Sequence, residues 1–105
     1  MVGGDLGGLF QQAQKMQKEL KAVQEDLKQR TVLGESGSGA VKVYASGAQD
    51  VLKIEIEPTV VDPEDTDMLE DLLLVAVQQA LEKAKELADS ETSRVTGGMN
   101  LPGMM

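Results

Sequence analysis

The chain has 105 residues, 10 Lys and Arg against 18 Asp and Glu for a net charge of -8, and neither Cys nor His. That length fits one domain with a thin core. The core must be aliphatic, because Phe10 and Tyr44 are the only aromatic residues. The composition excludes disulfides, Cys/His zinc sites, thiol nucleophiles and Ser-His-Asp triads.

Residues Leu6, Leu9, Ala13, Met16, Leu20, Val23 and Leu27 recur at alternating spacings of three and four, the heptad pattern of a helix with one narrow apolar seam. A long helix is predicted from about Gly8 to Arg30. Thr31-Val32-Leu33 is β-branched and apolar, and Gly34 to Gly39 is rich in turn formers. Val41, Val43 and Ala45 then alternate with Lys42, Tyr44 and Ser46. After a turn at Gly47-Ala48-Gln49-Asp50, Leu52, Ile54 and Ile56 alternate with Lys53, Glu55 and Glu57. Period-two alternation predicts an antiparallel three-stranded meander with one apolar and one polar face, closed by Pro58.

Asp62-Pro63 has the chemistry of a helix start, with acidic residues after it where the helix dipole favours them. The second helix is expected to run from Met68 to about Ser93. Its segment from Leu72 to Val77 is apolar all round, which implies burial on all sides. A chain this short has too little else to cover it, so one side is expected on its own sheet and the other on a second copy. Leu69, Leu72, Leu73, Ala76, Val77 and Ala80 are the candidate interface residues. Residues 1–7 and 96–105, rich in Gly and Met, are expected to be flexible tails of the single domain.

No apolar run approaches the roughly 20 residues needed to span a membrane. Met1 to Phe10 lacks the basic and apolar regions of a secretory signal, so a cytoplasmic location is expected. Charge is unevenly spread. Gln11 to Arg30 holds five bases and three acids, while Thr59 to Met105 holds three bases and ten acids.

Five stretches, in order and spacing, give the chain a resemblance to the YbaB/EbfC family of bacterial nucleoid-associated proteins. They are Gln14-Lys15-Met16-Gln17, Gly39-Ala40-Val41-Lys42-Val43, Ile54-Glu55-Ile56 before Pro58, Met68-Leu69-Glu70-Asp71-Leu72 followed by Ala76-Val77 and Ala80, and Gly97-Gly98 with Leu101-Pro102-Gly103. The resemblance covers nearly the whole chain. It implies an α+β fold and a tweezers-like homodimer with the sheets and second helices at its centre. It also implies binding of duplex DNA with little or shape-level sequence preference, in the nucleoid. Family members commonly carry Asn in the Gln78-Gln79 region, where this chain has Gln.

Lys15, Lys18, Lys21 and Lys28 fall away from the apolar seam, as a cationic ridge for phosphates would. The plain alternative is a solvated face with Lys15–Glu19 and Lys21–Glu25 pairs. Lys85 and Arg94, near the end of the second helix, either complement the helix dipole or, in the tweezers arrangement that the resemblance implies, extend the ridge. Lys83 is assigned to dipole complementarity at the helix end.

The Gly34–Gly39 spacing matches a phosphate loop, but Ala40-Val41 and a strand follow it, so a hairpin loop is expected. The Asp62–Asp67 cluster lacks the Gly and distal Glu of a calcium loop. Glu55 and Glu57 share a strand face without a cleft, and no nucleophile, base and oxyanion site assemble. No enzyme activity, cofactor, metal, membrane partner or small-molecule substrate is expected. A second function remains in view, a protein–protein adaptor, favoured by the acidity, the heptad seam, the all-apolar helix and the Met-rich tail; by analogy with the family, its partners would be replication or recombination factors.

Overall fold

The computed structural model describes the backbone of residues 2–97 and the side chains of residues 7–97. Helix α1 spans Val2–Gln29, strands β1 Thr31–Ser36, β2 Val41–Ser46 and β3 Val51–Ile56 follow, a 3-10 turn occupies Pro58–Val60, and helix α2 spans Thr66–Thr96. The sheet is an antiparallel meander in the order β1-β2-β3.

The period-two pattern becomes two faces. Val41 and Val43 of β2 stand opposite Ile56 and Ile54 of β3, and Val43 stands opposite Gly34 of β1. On the other face Lys42 lies between Glu35 and Glu55, and Tyr44 between Leu33 and Lys53. The β2–β3 register shifts beside Tyr44, where Ala45 pairs with Val51 and Leu52 is the extra residue. Such a bulge sharpens the local twist.

α2 packs on the apolar face. Val41, Val43, Ala45, Ala76 and Ala80 are fully buried, with Val32, Val60, Leu69, Leu72, Leu73, Val77 and Leu81 packed around them. The approach is closest at Gly34. A Cβ there would overlap the Ala76 carbonyl oxygen and lie 2.5 Å from the Ala80 nitrogen. The small residues Gly34, Ala76 and Ala80 therefore let backbone meet backbone. β1 continues to Ser36 rather than ending at Leu33, because Gly34 serves this approach and not a turn. The turn itself holds Gly37, Ser38 and Gly39, all at positive φ.

Two polar side chains of α2 seal the outer edge of β1. The Glu35 N–H donates to Gln79 Oε1 at 2.8 Å, and Lys83 Nζ donates to the Leu33 carbonyl at 2.9 Å. At the other end of β1, the Ser36 hydroxyl donates to the Leu72 carbonyl at 2.6 Å. A free strand edge invites pairing with another chain, and here α2 closes it.

α1 starts earlier than its pattern suggests. Residues 2–7, read from sequence as a tail, are helical, since extending an existing helix adds one hydrogen bond per residue without a new nucleus. Thr96, also placed in a tail, is the last residue of α2 and is buried. Residues 98–105 and the Leu6 side chain lie outside the described residues. α2 begins at Thr66, not after Asp62. The Asp62 carboxylate accepts from the Glu64 N–H at 2.9 Å and so caps a turn that precedes the helix. Gly97, in the left-handed conformation, ends α2 with its N–H on the Ser93 carbonyl at 3.0 Å.

The end of α1 is pinned by Leu27, which is buried beneath Gly47. The Gly47 N–H donates to the Arg30 carbonyl at 3.0 Å. Gln24, Leu27 and Lys28 line one groove with Ala88 and Thr92, so the C-terminal parts of the two helices lie side by side. They overlap only near their C-terminal ends, so the rest of α1 projects past α2. The molecule measures 76 × 24 × 17 Å with a radius of gyration of 20.1 Å, against about 13 Å for a compact chain of this length.

Candidate nucleic-acid interface

The projecting part of α1 carries the lysines. At 100° per residue, Lys15, Lys18, Lys21 and Lys28 occupy the half of the helix opposite the Met16–Leu20–Val23–Leu27 seam. All four are exposed. The Lys15–Glu19 and Lys21–Glu25 pairs do not form; Glu25 instead lies 3.4 Å from Lys28. Arg30 pairs with Asp26 at 3.2 Å on the surface, and Arg94 pairs at 3.3 Å with Glu91, whose side chain is half-buried. Among the described residues Lys15, Lys18, Lys21 and Lys85 form no ion pair. Exposed pairs of the kind made by Lys28 and Arg30 are worth at most about 1 kcal/mol, so a phosphate can displace them. Lys83 differs, because its ammonium is engaged on the β1 edge.

The candidate interface residues of α2 separate into two groups. Ala76 and Ala80 are fully buried against β1 of the same chain, which leaves them no surface for a second copy. This corrects the sequence reading, which could not know which side of the all-apolar helix meets its own sheet. Leu69, Leu72, Leu73 and Val77 are half-buried. The exposed apolar residues are others: Met68, Leu74 and Val75 on α2, Val61 before it, and Val51, Leu52, Ile54 and Ile56 along β3. The reason is geometric. A helix is about 10 Å wide and strands lie about 4.8 Å apart, so α2 covers β1 and β2 and leaves β3 open. Ile54 and Ile56 face the α2 side of the sheet yet remain 46% and 37% exposed.

The outer sheet face is polar and internally paired. The Tyr44 hydroxyl donates to Glu55 at 2.8 Å, and Lys53 lies 3.3 Å from the other Glu55 oxygen. The hydrogen bond from Tyr44, and after it Lys53, hold the Glu55 carboxyl below its ordinary range. The same hydrogen bond, with the Glu55 charge, raises the Tyr44 phenol. Glu55 thus has partners that explain it as a surface residue, and Glu57 stands apart from this network. Among the described residues no group of three or more His, Cys, Asp or Glu side chains is placed to hold a metal. No helix among them is long and apolar enough to cross a membrane.

Sequence reasoning missed Gln79, whose amide seals β1, and Gly34, whose missing side chain admits α2. Gly34 carried a signal, since it lies two residues from Val32 on the apolar side of the alternation. Gln79 carried none beyond its place on the helix.

Comparison with known proteins identifies this arrangement. The model of the YbaB/EbfC DNA-binding family matches residues 3–99. A nucleoid-associated protein of Acetivibrio thermocellus is 50% identical over 97% of this chain and 91% of its own length. One of Pelotomaculum thermopropionicum is 44% identical over 99% of both chains. The crystal structure of an uncharacterized protein from Helicobacter pylori shares the fold at a TM-score of 0.75 and 24% identity, covering 92% of this chain and 99% of that one. Fold, family model and full-length relatives agree: the chain belongs to the YbaB/EbfC DNA-binding family.

Proposed function

We propose that the protein binds duplex DNA as a homodimer in the nucleoid, without catalysis, gripping backbone phosphates with Lys15, Lys18, Lys21, Lys28, Lys85 and Arg94. The carrying observation is the projecting α1 arm, whose lysines form a ridge away from the apolar seam and, at Lys15, Lys18 and Lys21, lack ion-pair partners among the described residues. Phosphates neutralised by such a ridge release counterions, which supplies affinity without reading bases. With one Tyr and one Phe the chain offers no stacking platform for single strands. A second copy covers the open face formed by β3 and the exposed side of α2, with half-buried Leu69, Leu72, Leu73 and Val77 at its border. The dimer carries two arms and lets one duplex be held from two sides.

The test is a duplex-DNA titration at several salt concentrations with the natural chain and a variant carrying Lys15→Glu, Lys18→Glu and Lys21→Glu. Six lysines in a dimer account for a log–log salt slope of about -5. The variant should stay dimeric and lose the DNA complex. A folded dimeric variant that binds as before would show that the ridge is not the contact surface.

A further inference from the structure

Beside its apolar seam α1 carries a second stripe. Phe10, Gln14, Gln17, Lys21, Gln24 and Lys28 recur at alternating spacings of four and three, so they line one face of the helix about a quarter turn from Leu9, Met16 and Leu27. All six are exposed, and the stripe holds no acidic residue. At 70% exposure Phe10 is the most open large apolar side chain among the described residues. The seam accounts for Leu9, which it shares with Leu27, but not for Phe10. Gly7, the next position of the stripe toward the tip, adds no side chain, and a Cβ built there would meet nothing within 4 Å. Gln14, Gln17, Lys18, Lys21 and Gln24 line one shallow groove with Leu20. Among the described residues the three glutamine amides make no hydrogen bond within the chain.

We propose, on the reading that the arm grips duplex DNA, that this stripe enters the major groove and favours A·T pairs, with the Phe10 ring on a thymine methyl and the Gln14 and Gln17 amides on adenine. Dimensions and chemistry both support it. A helix is about 10–12 Å across, and the major groove is about 12 Å wide. Phe10 to Gln17 spans about 10 Å of helix, the rise of three base pairs at about 3.4 Å each. A Gln amide carries a donor and an acceptor. It matches the N6 donor and N7 acceptor that adenine shows in this groove, where thymine exposes its apolar C5 methyl. The stretch from Leu6 to Gln14 has no charged side chain, so the ring can leave water without stranding a charge. Lys21 and Lys28 lie about 6 and 17 Å beyond Gln17 on the same stripe, where the helix emerges from the groove and meets the phosphates that border it. The lysines supply affinity, and the tip of the stripe adds a preference.

Replacing every thymine of an A·T duplex by uracil removes the methyl and leaves the pairing and the phosphates. Both duplexes are titrated at fixed salt with the natural chain, with Phe10→Ala, and with the double variant Gln14→Ala and Gln17→Ala, after circular dichroism has confirmed the helix in each. The natural chain should bind the thymine duplex about fourfold more tightly for each arm engaged, the worth of one buried methyl group. Phe10→Ala should bind the two duplexes alike and keep the salt slope of the natural chain, because no phosphate contact has changed. The glutamine variant should keep the thymine-to-uracil ratio and lose the preference for adenine over 7-deazaadenine, which lacks the N7 acceptor. Equal affinity of the natural chain for thymine and uracil duplexes, both bound in a salt-dependent way, would overturn the reading of bases and leave the phosphate grip standing. A ratio that survives Phe10→Ala would likewise overturn the assignment of the ring. A natural chain that binds neither duplex at low salt would remove the grip and the base contact together.

Discussion

Gly34→Ala is the smallest change that tests how α2 sits on the sheet. In an unobstructed strand the added methyl would stabilise the chain by about 0.5–1 kcal/mol, because Gly loses more backbone freedom on folding. Here the methyl would overlap the Ala76 carbonyl oxygen and lie 2.5 Å from the Ala80 nitrogen and 2.9 Å from the Ala80 Cα. All three are backbone atoms, so no side chain can swing aside and α2 must retreat by about 1 Å to restore ordinary contact. That retreat would stretch the Glu35–Gln79 and Lys83–Leu33 hydrogen bonds, now 2.8 and 2.9 Å, beyond useful range. Each is worth about 0.5–1.5 kcal/mol, and the strain of overpacking about 1–3 kcal/mol. The expected loss is about 2–6 kcal/mol, a large share of a stability near 5–15 kcal/mol. Denaturant unfolding followed by circular dichroism measures it, at fixed protein concentration so that association does not shift the midpoint. Gly7→Ala is the control. Nothing lies within 4 Å of the Cβ position there, and the same change should stabilise the arm by about 1 kcal/mol. A Gly34→Ala chain as stable as the natural one would refute the backbone-to-backbone packing of α2 on β1.

Two further outcomes follow from the open sheet face and from its polar reverse. Ile54→Asp places a carboxylate where the second copy is proposed to pack, and an unpaired buried charge costs several kcal/mol. Sedimentation should show dimer affinity falling about a hundredfold or more with the circular dichroism of the subunit retained; an unchanged dimer would put the interface elsewhere. Tyr44 is the sole tyrosine, so tyrosinate absorbance reports it alone. Its raised pKa means a contribution to stability that is present below about pH 10, the ordinary value, and lost as pH rises through the folded value. Glu55→Gln should move the titration midpoint down toward the ordinary value, and identical midpoints in the two proteins would show that the hydrogen bond is not formed in solution.

The elements with a local rhythm were legible from the residues alone. The heptad seam marked α1, and the alternation of Val41, Val43 and Ala45 and of Leu52, Ile54 and Ile56 marked β2 and β3. What escaped depends on which element meets which. Gly34 looks like punctuation until α2 is laid across it. Asp62-Pro63 carries every feature of a helix start, yet its carboxylate closes the preceding turn and Thr66 opens the helix. Residue type alone marks six apolar candidates on α2. Only the register against β1 shows that Ala76 and Ala80 face inward while Leu74 and Val75 face out and β3 stays uncovered. The ridge of lysines needed only helical periodicity, but its projection beyond α2 depends on where the two helices overlap.

That projection bears on the apparent conflict between a net charge of -8 and a polyanionic ligand. The acidic stretch Asp62 to Asp71 lies at the start of α2, whereas α1 meets α2 near Ala88. From Asp71 to Ala88 is about 26 Å of helix, and from Lys28 back to Lys21 and Lys15 adds about 10 to 20 Å in the same direction. The Debye length at physiological ionic strength is about 8 Å. A phosphate approaching Lys15, Lys18 or Lys21 is therefore several screening lengths from the acidic end; Glu82, Glu86, Asp89 and Glu91 farther along α2 are nearly matched in charge by Lys83, Lys85 and Arg94, so the local surplus of bases on α1 governs what it meets. The elongated shape, 76 Å from end to end, separates the two charges so that an acidic protein can present a cationic arm.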